Sequence, residues 1–279
     1  TSSAVMTTNV AAVNDAPVNS LGTASAVNED VANAITGSTI ADVDDTSMTS
    51  VQITADRGTF TLATSSATYN VGTQGTAAST VTISGSVTNI NVAIATITWT
   101  SATDDNTNAV ITVVTTDSSS AADTDTIAIS VTAVNDAPAN AGDTAAVNED
   151  TAYSAWGAGS DWGYTDVDSD TMVSITLVSQ PSNGALTETN NACGGDGCAN
   201  GDVILLARLA AGDLIYTGTS NYNGADTFTY TTQDAALSSP TGTMTMTVNA
   251  VNDAPTVEAG DAQSVAEGAS VTLTSSGTS

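Results

Sequence analysis

Apolar and polar residues alternate with a period of two in run after run of this chain. Ile127, Ile129 and Val131 share one side of their segment, while Thr126, Ala128, Ser130 and Thr132 take the other. Ile97 and Trp99 alternate with Thr96, Thr98 and Thr100 in the same way. Phe228 and Tyr230 alternate with Thr227, Thr229 and Thr231, and Met244, Met246 and Val248 with Thr243, Thr245 and Thr247. Successive side chains of a strand point to opposite faces, so each run predicts a strand with one apolar face and one Thr-rich face. Two sheets that bury such faces against each other form a sandwich. No segment carries a helical stripe over a dozen residues. The nearest, Val203 to Leu209, is short and apolar and reads as a strand or as a single helical turn. Turn residues are frequent, with Gly58, Gly72, Gly75 and Gly85 in the first half and Pro181-Ser182-Asn183-Gly184 and Asn223-Gly224 in the second. Many short strands separated by such turns predict an all-β sandwich architecture.

The pattern repeats on a longer scale. Val13-Asn14-Asp15-Ala16-Pro17 returns as Val134-Asn135-Asp136-Ala137-Pro138 and as Val251-Asn252-Asp253-Ala254-Pro255, at separations of 121 and 117 residues. That spacing is close to one ordinary domain. Between the junctions the order of features also repeats. Val27-Asn28-Glu29-Asp30 and Asp42-Val43-Asp44-Asp45-Thr46 correspond to Val147-Asn148-Glu149-Asp150 and Asp166-Val167-Asp168-Ser169-Asp170-Thr171, and Asp117 corresponds to Asp234. The expected division is residues 18–138 and 139–255 as two repeats. Residues 1–17 read as the last strand of a preceding repeat with its junction. Residues 256–279 read as the opening strands of a following one, with Val265-Ala266-Glu267-Gly268 in place of Val-Asn-Glu-Asp. The first residues lack the basic and apolar segment of a secretory signal, which reads as a processed product or an excerpt of something longer.

Charge narrows the partners. Against 30 Asp and Glu there are 2 basic residues, Arg57 and Arg208, and no His, for a formal charge of -28. Such a field repels nucleic acid and anionic membranes and attracts cations. With hydrophobic residues at 41% and periodically placed, the chain is expected to fold rather than remain disordered. No apolar run is long enough to span a membrane. The two cysteines lie in Cys193-Gly194-Gly195-Asp196-Gly197-Cys198, where glycines let a short loop close into a disulfide suited to an oxidising compartment. A metal or redox pair is the alternative, but zinc would lack its usual ligand set without His or further Cys. Triads that need His cannot form, and a phosphate-binding loop with Lys is absent. The acids fall at repeat ends rather than across a cleft, so catalysis is not expected.

The ordered set of Asn-Glu-Asp, Asp-Val-Asp and Val-Asn-Asp-Ala-Pro resembles the bacterial cadherin-like tandem repeats of giant surface adhesins. The second repeat follows that pattern most fully, through Thr165 to Thr171, Gln180 to Gly184, Asn221 to Tyr230 and the last junction. The first has Ala55-Asp56-Arg57-Gly58 in place of the Gln-Pro-Ser-Asn-Gly turn and lacks the Asn-Tyr-Asn-Gly segment. The resemblance implies tandem Ig-like, cadherin-like β-sandwich domains of seven strands arranged end to end, on a secreted or cell-surface protein. It also implies calcium between modules. Carried onto this chain, the junction at Asn135 and Asp136 would draw on Glu29, Asp166, Asp168 and Asp234. The junction at Asn14 and Asp15 would draw on Asp42, Asp44 and Asp117, and that at Asn252 and Asp253 on Glu149. Asp30 and Asp150 complete the candidate ligands, and Asp104-Asp105 is the candidate for a second acidic motif.

The chemistry supports that ion on its own ground. Calcium takes 6–8 oxygen ligands, and alternate residues such as Asp42 and Asp44 place both carboxylates on one side of an extended segment. Magnesium demands tighter octahedral geometry, and zinc or copper would favour imidazole. The plainer reading is that Asp and Asn here are turn residues or solvating surface. Three functions follow from these features. The first is a calcium-rigidified spacer of a long adhesin, its partners being adjacent repeats and calcium ions. The second is a subunit of an extracellular filament or surface layer joined to neighbouring copies through its terminal strands. The third is a carbohydrate-binding surface module, in which Trp156, Trp162 and Tyr164 among glycines meet surface glycans; the alternative is a loop pinned by its rings on its own domain.

Overall fold

The structure is a computed structural model that describes residues 6–11, 13–157, 159–194, 197–254, 256–257, 264, 266–268, 270 and 277–278. The chain divides into two compact units, Thr1–Asn135 and Asp136–Ser279. Of the stretches read as parts of neighbouring repeats, residues 1–5 and 12 and most of 256–279 lie outside the described residues, and residues 6–11 and 13–17 form no strand.

In the first unit the strands are β1 (Val18–Ser20), β2 (Val27–Asn28), β3 (Asn33–Thr36), β4 (Thr39–Ala41), β5 (Ser47–Ala55), β6 (Thr59–Leu62), β7 (Thr68–Val71) and β8 (Thr80–Ser86). Helix α1 (Val87–Ile94) follows, then β9 (Thr96–Thr100), β10 (Ala109–Thr116), β11 (Ala122–Ile129) and β12 (Val131–Thr132). An antiparallel sheet of five strands runs in the order β11-β10-β5-β8-β7, and a sheet of three in the order β3-β9-β6. The inward residues of both form a single core. Val51, Ile53, Val81, Ile83, Ile111, Val113 and Ile127 come from the larger sheet, and Ile35, Phe60, Ile97 and Trp99 from the smaller. The Thr partners of the alternation stay outside it, as the period of two demands.

The helix is where the strand pattern is interrupted. Ser86 caps it by accepting from Asn89 N–H at 3.2 Å. Ile90, Ala93 and Ile94 are its buried residues. Its Asn91 side chain accepts from Ile40 N–H at 2.7 Å and donates to Ile40 O at 2.9 Å. The helix side chain thus serves the backbone of β4 as a neighbouring strand would.

The second unit repeats the plan. It has β13 (Ala139–Asn140), β14 (Asp143–Asn148), β15 (Ala152–Tyr153), a 3-10 turn at Gly159–Trp162, β16 (Tyr164–Thr165), β17 (Ser174–Ser179), β18 (Gly184–Glu188) and β19 (Val203–Leu205). Helix α2 (Leu206–Ala210), β20 (Leu214–Gly218), β21 (Gly224–Gln233) and β22 (Gly242–Asn249) follow, then the short strands β23 (Thr256–Val257) and β24 (Gly277–Thr278). The two larger sheets are β14-β22-β21-β17-β19 and β15-β20-β18, beside the two-stranded pairs β13-β16 and β23-β24. The Val203–Leu209 segment is both of the things its sequence allowed, a three-residue strand running into a helical turn.

The aromatic cluster sits in the second core. Trp156 and Trp162 are buried, at ring-centroid distances of 4.6 Å from Tyr153 and 5.0 Å from Tyr230 respectively. Trp156 Nε1 donates to Leu214 O at 2.6 Å, and Tyr230 hydroxyl donates to Trp162 O at 2.9 Å. The rings therefore pin their own loop and do not form an exposed stacking platform, which removes the feature that suggested glycan binding. Cys193 and Cys198 form a disulfide, and Cys193 packs into this core.

Candidate metal-binding clusters

Among the described residues acidic side chains gather in loops of both units, and their placement arises from local backbone needs. In the first unit the loop after β4 folds around Asp42, whose Oδ1 accepts from Asp44 N–H and Asp45 N–H, both at 2.8 Å. That turn aims the carboxylates of the following residues in two directions. Asp44 Oδ2 accepts from Asp15 N–H at 2.8 Å, while Asp45 Oδ2 accepts from Ser118 hydroxyl at 2.8 Å. Asp117, buried after β10, holds its own loop by accepting from Ser119 and Ala121 N–H at 2.9 and 2.8 Å. Its other oxygen accepts from Asn14 Nδ2 at 2.7 Å. Asn14, Asp15, Asp42, Asp44 and Asp117 are linked by these bonds, but the carboxylate oxygens grouped closely enough to share an ion are those of Asp42, Asp45 and Asp117. The Asp-Asp step at 44–45 was the signal for Asp45.

Oxygens of Asp42, Asp45 and Asp117 lie within 4.8 Å of one another. Calcium–oxygen distances of 2.3–2.6 Å place opposed ligands about 5 Å apart, so the spacing fits one such ion. Two more observations bear on the fit. Asp42 Oδ2 is buried without a hydrogen-bond partner. Asp117 is held below the usual carboxylate range, first by Asn14 and then by the backbone donors of its loop, so protonation does not relieve the crowding. Two carboxylates at that separation repel by about 3 kcal/mol at an effective dielectric near 20. Both arginines are engaged elsewhere, Arg57 with Asp105 at 3.4 Å and Arg208 with Asp213 at 3.2 Å. Asp105 is thereby a partner of Arg57 and of Thr107 N–H rather than a free ligand.

The second unit builds the counterpart. Asp166 Oδ1 accepts from Asp168 and Asp170 N–H at 2.9 and 3.1 Å, and Asp168 Oδ2 accepts from Asp136 N–H at 2.7 Å. The loop is one residue longer than in the first unit, and Ser169 absorbs the excess with φ of 67°. Asp234 accepts from Ala236 and Leu237 N–H, as Asp117 accepts from its own loop. Tyr164 hydroxyl donates to Asp170 O at 2.9 Å beside these acids.

Burial, then the charges of Asp166 and Asp234, push the Tyr164 hydroxyl up to about 12. A folded value above the unfolded one, near 10, means that this stability is full below pH 10 and is lost as pH rises through 12. Tyr216 and Tyr230 are also raised, mainly by burial. Alkaline titration followed by tyrosinate absorbance should therefore show a late-ionising class among the 6 tyrosines, with loss of near-ultraviolet dichroism at the same pH.

Further acids lie in the Asn-Glu-Asp segments. Glu29 and Glu149 are buried, and each accepts from the valine that opens a junction, Val134 N–H at 2.9 Å and Val251 N–H at 2.6 Å. Glu29 Oε2 is buried with no hydrogen-bond partner. Asp30 and Asp150 share φ of 58° and cap equivalent loops, accepting from Asp104 N–H and Asn221 N–H, both at 3.2 Å. Asn135 is the last residue of the first unit. Asn252 and Asp253 are exposed, and Asn252 Nδ2 donates to Asp253 O at 3.1 Å, the same local bond that Asn14 makes to Asp15 O.

Residues 135–247 match the profile of a family described as bacterial Ig domain. The second unit therefore carries an Ig-like repeat of bacterial type. Among solved structures, human mucin-like protocadherin EC1-2 is 13% identical with a TM-score of 0.36, covering 84% of this chain and 98% of that one. Protocadherin gamma B2 domains 3-6 are 14% identical with a TM-score of 0.41, covering 88% of this chain and 53% of that one. The human desmocollin-1 ectodomain is 10% identical with a TM-score of 0.34, covering 87% and 42%. The chain thus spans about half the length of the longer cadherin structures it matches. No curated protein matches it in sequence.

Proposed function

We propose that this chain, whose second unit carries a bacterial Ig domain, is a calcium-stiffened stretch of an extracellular or cell-surface adhesin. The observation that carries the reading is the treatment of the Asn-Asp junctions. A buried glutamate receives the backbone on one side, through Val134 and Val251. An Asp-x-Asp loop receives it on the other, through Asp15 and Asp136. Ions held by Asp42, Asp45 and Asp117, and by Asp136, Asp166, Asp168 and Asp234, would fix linker residues to the module that follows. Glu29 and Asp30, and Glu149 and Asp150, are further candidate ligands, each pair within its own unit. The role is structural rather than catalytic, and the disulfide fits an oxidising compartment. No helix among the described residues is long and apolar enough to cross a membrane.

Small-angle scattering with calcium and with a chelator tests this. Stiff junctions should give a larger, better-defined maximum dimension in calcium, and an unchanged profile would sink the role. Asp42→Asn with Asp117→Asn removes two charges from one cluster and should weaken one class of sites by at least about tenfold in a calcium titration.

A further inference from the structure

Three asparagines in this chain precede a glycine, at Asn183-Gly184, Asn200-Gly201 and Asn223-Gly224. Such a step carries its own chemistry. The backbone nitrogen after an asparagine can attack the side-chain amide carbon, and glycine, without a Cβ, obstructs the approach least. The attack needs an asparagine side chain able to swing, a peptide group able to turn, and a backbone N–H able to lose its proton to solvent.

Two of the three steps are held against it. Thr219 N–H donates to Asn183 O at 2.8 Å, which fixes the peptide group that contains Gly184 N. Asn183 N–H donates to the buried Asp226 at 3.1 Å, and Asn183 Nδ2 donates to Ser182 Oγ at 3.3 Å. Gly184 itself opens β18 opposite Gly218 and lies against the Tyr216 ring. At the second step Gly201 N–H donates to Leu177 O at 2.7 Å, so the attacking nitrogen is engaged. Asn200 Oδ1 also accepts from Gln180 Nε2 at 3.4 Å.

Asn223 is held by none of these. It is exposed between β20 and β21, and among the described residues its side chain makes no hydrogen bond. Gly224 is exposed as well, with φ of 135°. We propose that Asn223 is a site of spontaneous deamidation. Gly224 N loses its proton to solvent base and bonds to Asn223 Cγ, the Cγ–Nδ2 bond breaks, and ammonia leaves. Water then opens the cyclic imide at either carbonyl, leaving aspartate or isoaspartate with no oxidation or reduction.

The place of this step gives it a consequence. Ser220 hydroxyl and Asn221 N–H, in the same loop, both donate to Asp150 Oδ1 at 3.2 Å. In the first unit Asp104 stands where Asn221 does, with φ of 56° against 57°, and its N–H donates to Asp30 at 3.2 Å. That loop carries Asp104 and Asp105, whereas Ser220 to Gly224 carry no acid. Deamidation supplies the missing carboxylate and adds one negative charge near Asp150. The change runs one way, so the charge of this loop records the age of the molecule.

Peptide mapping by mass spectrometry, after the whole folded chain is aged in mildly alkaline buffer, tests this. Asn223 should convert at least about tenfold faster than Asn183 and Asn200, whose steps wait on local opening. In denaturant, which releases all three, the rates should draw together. Asn223→Gln, whose longer side chain disfavours the ring, should stop the acidic drift of the aged chain in native isoelectric focusing. The inference is overturned if Asn223 stays intact in the folded chain while the unfolded chain converts. It is equally overturned if Asn183 or Asn200 converts as fast as Asn223 in the folded chain. No step of the test involves calcium, so its failure is distinct from failure of the proposed function.

Discussion

Replacing Asp226 with alanine should unfold the second unit more readily by on the order of 3–5 kcal/mol, the scale of a broken buried hydrogen-bond network. Asp226 is buried at the start of β21. Its Oδ1 accepts from Ser182 and Thr227 N–H, both at 2.9 Å, and its Oδ2 from Asn183 N–H at 3.1 Å and Tyr216 hydroxyl at 3.0 Å. The alanine variant leaves three backbone donors and a buried phenol without their acceptor. Asp226→Asn keeps the shape but turns one acceptor into a donor that faces other donors, so it should still lose about 1–3 kcal/mol. Chemical denaturation followed by tryptophan emission reads both variants. An asparagine variant as stable as the parent would show that the carboxylate only fills space.

The same tie exists in the first unit with the roles exchanged. There the carboxylate is on the turn, where Asp56 accepts from Val110 N–H of β10 at 2.7 Å. This is the segment where the first repeat departs from the adhesin pattern, with Asp56-Arg57-Gly58 in place of the Pro-Ser-Asn-Gly turn. The departure follows the ring it must accommodate. In the second unit a Cβ on Gly184 would lie 2.7 Å from the Tyr216 ring, while in the first one on Gly58 would lie 3.0 Å from the Trp99 ring, with φ of 67°. A phenol needs an acceptor at its tip, and Asp226 supplies it. An indole donates from its side, and Arg57 O accepts from Trp99 Nε1 at 3.0 Å.

The strands were legible because their period survives in short windows. The runs around Ile97, Phe228 and Met244 are strands with their apolar residues buried, while the run from Ile127 breaks at Ser130, leaving Val131 half-buried in the separate strand β12. Helix α1 was not legible and α2 only as one of two readings of Val203 to Leu209, because they span 8 and 5 residues, too few for a stripe to stand out from a strand's apolar run. Ser86 before α1 was the available cue, since its hydroxyl caps the helix. In the acidic clusters, the sequence pointed to Asp42 and Asp44 by their alternate spacing. The loop is not extended, however. Asp42 bends it by accepting from Asp44 and Asp45 N–H, and that bend brings Asp45 rather than Asp44 within 4.8 Å of Asp117. Side-chain direction in such a turn is set by backbone hydrogen bonds that spacing does not encode.

Trp99→Ala should separate the two units thermally. Trp99 is 1% exposed at the centre of the first core, and its removal should cost about 3–5 kcal/mol in transfer and cavity energy. For a unit of this size that corresponds to roughly 10–20 °C in the midpoint of the first unit. The second core is a distinct cluster built around Trp156 and Trp162. These are the other two of the chain's 3 tryptophans, so in the variant all indole emission reports on the second unit. Far-ultraviolet dichroism should then show an early transition that the emission does not follow. Trp99→Phe keeps most of the ring and loses the bond to Arg57 O, so it should shift the early transition by only about 1 kcal/mol. If the emission midpoint falls as far as the dichroism in Trp99→Ala, the two cores unfold as one cooperative body, and the reading of the chain as independent modules fails.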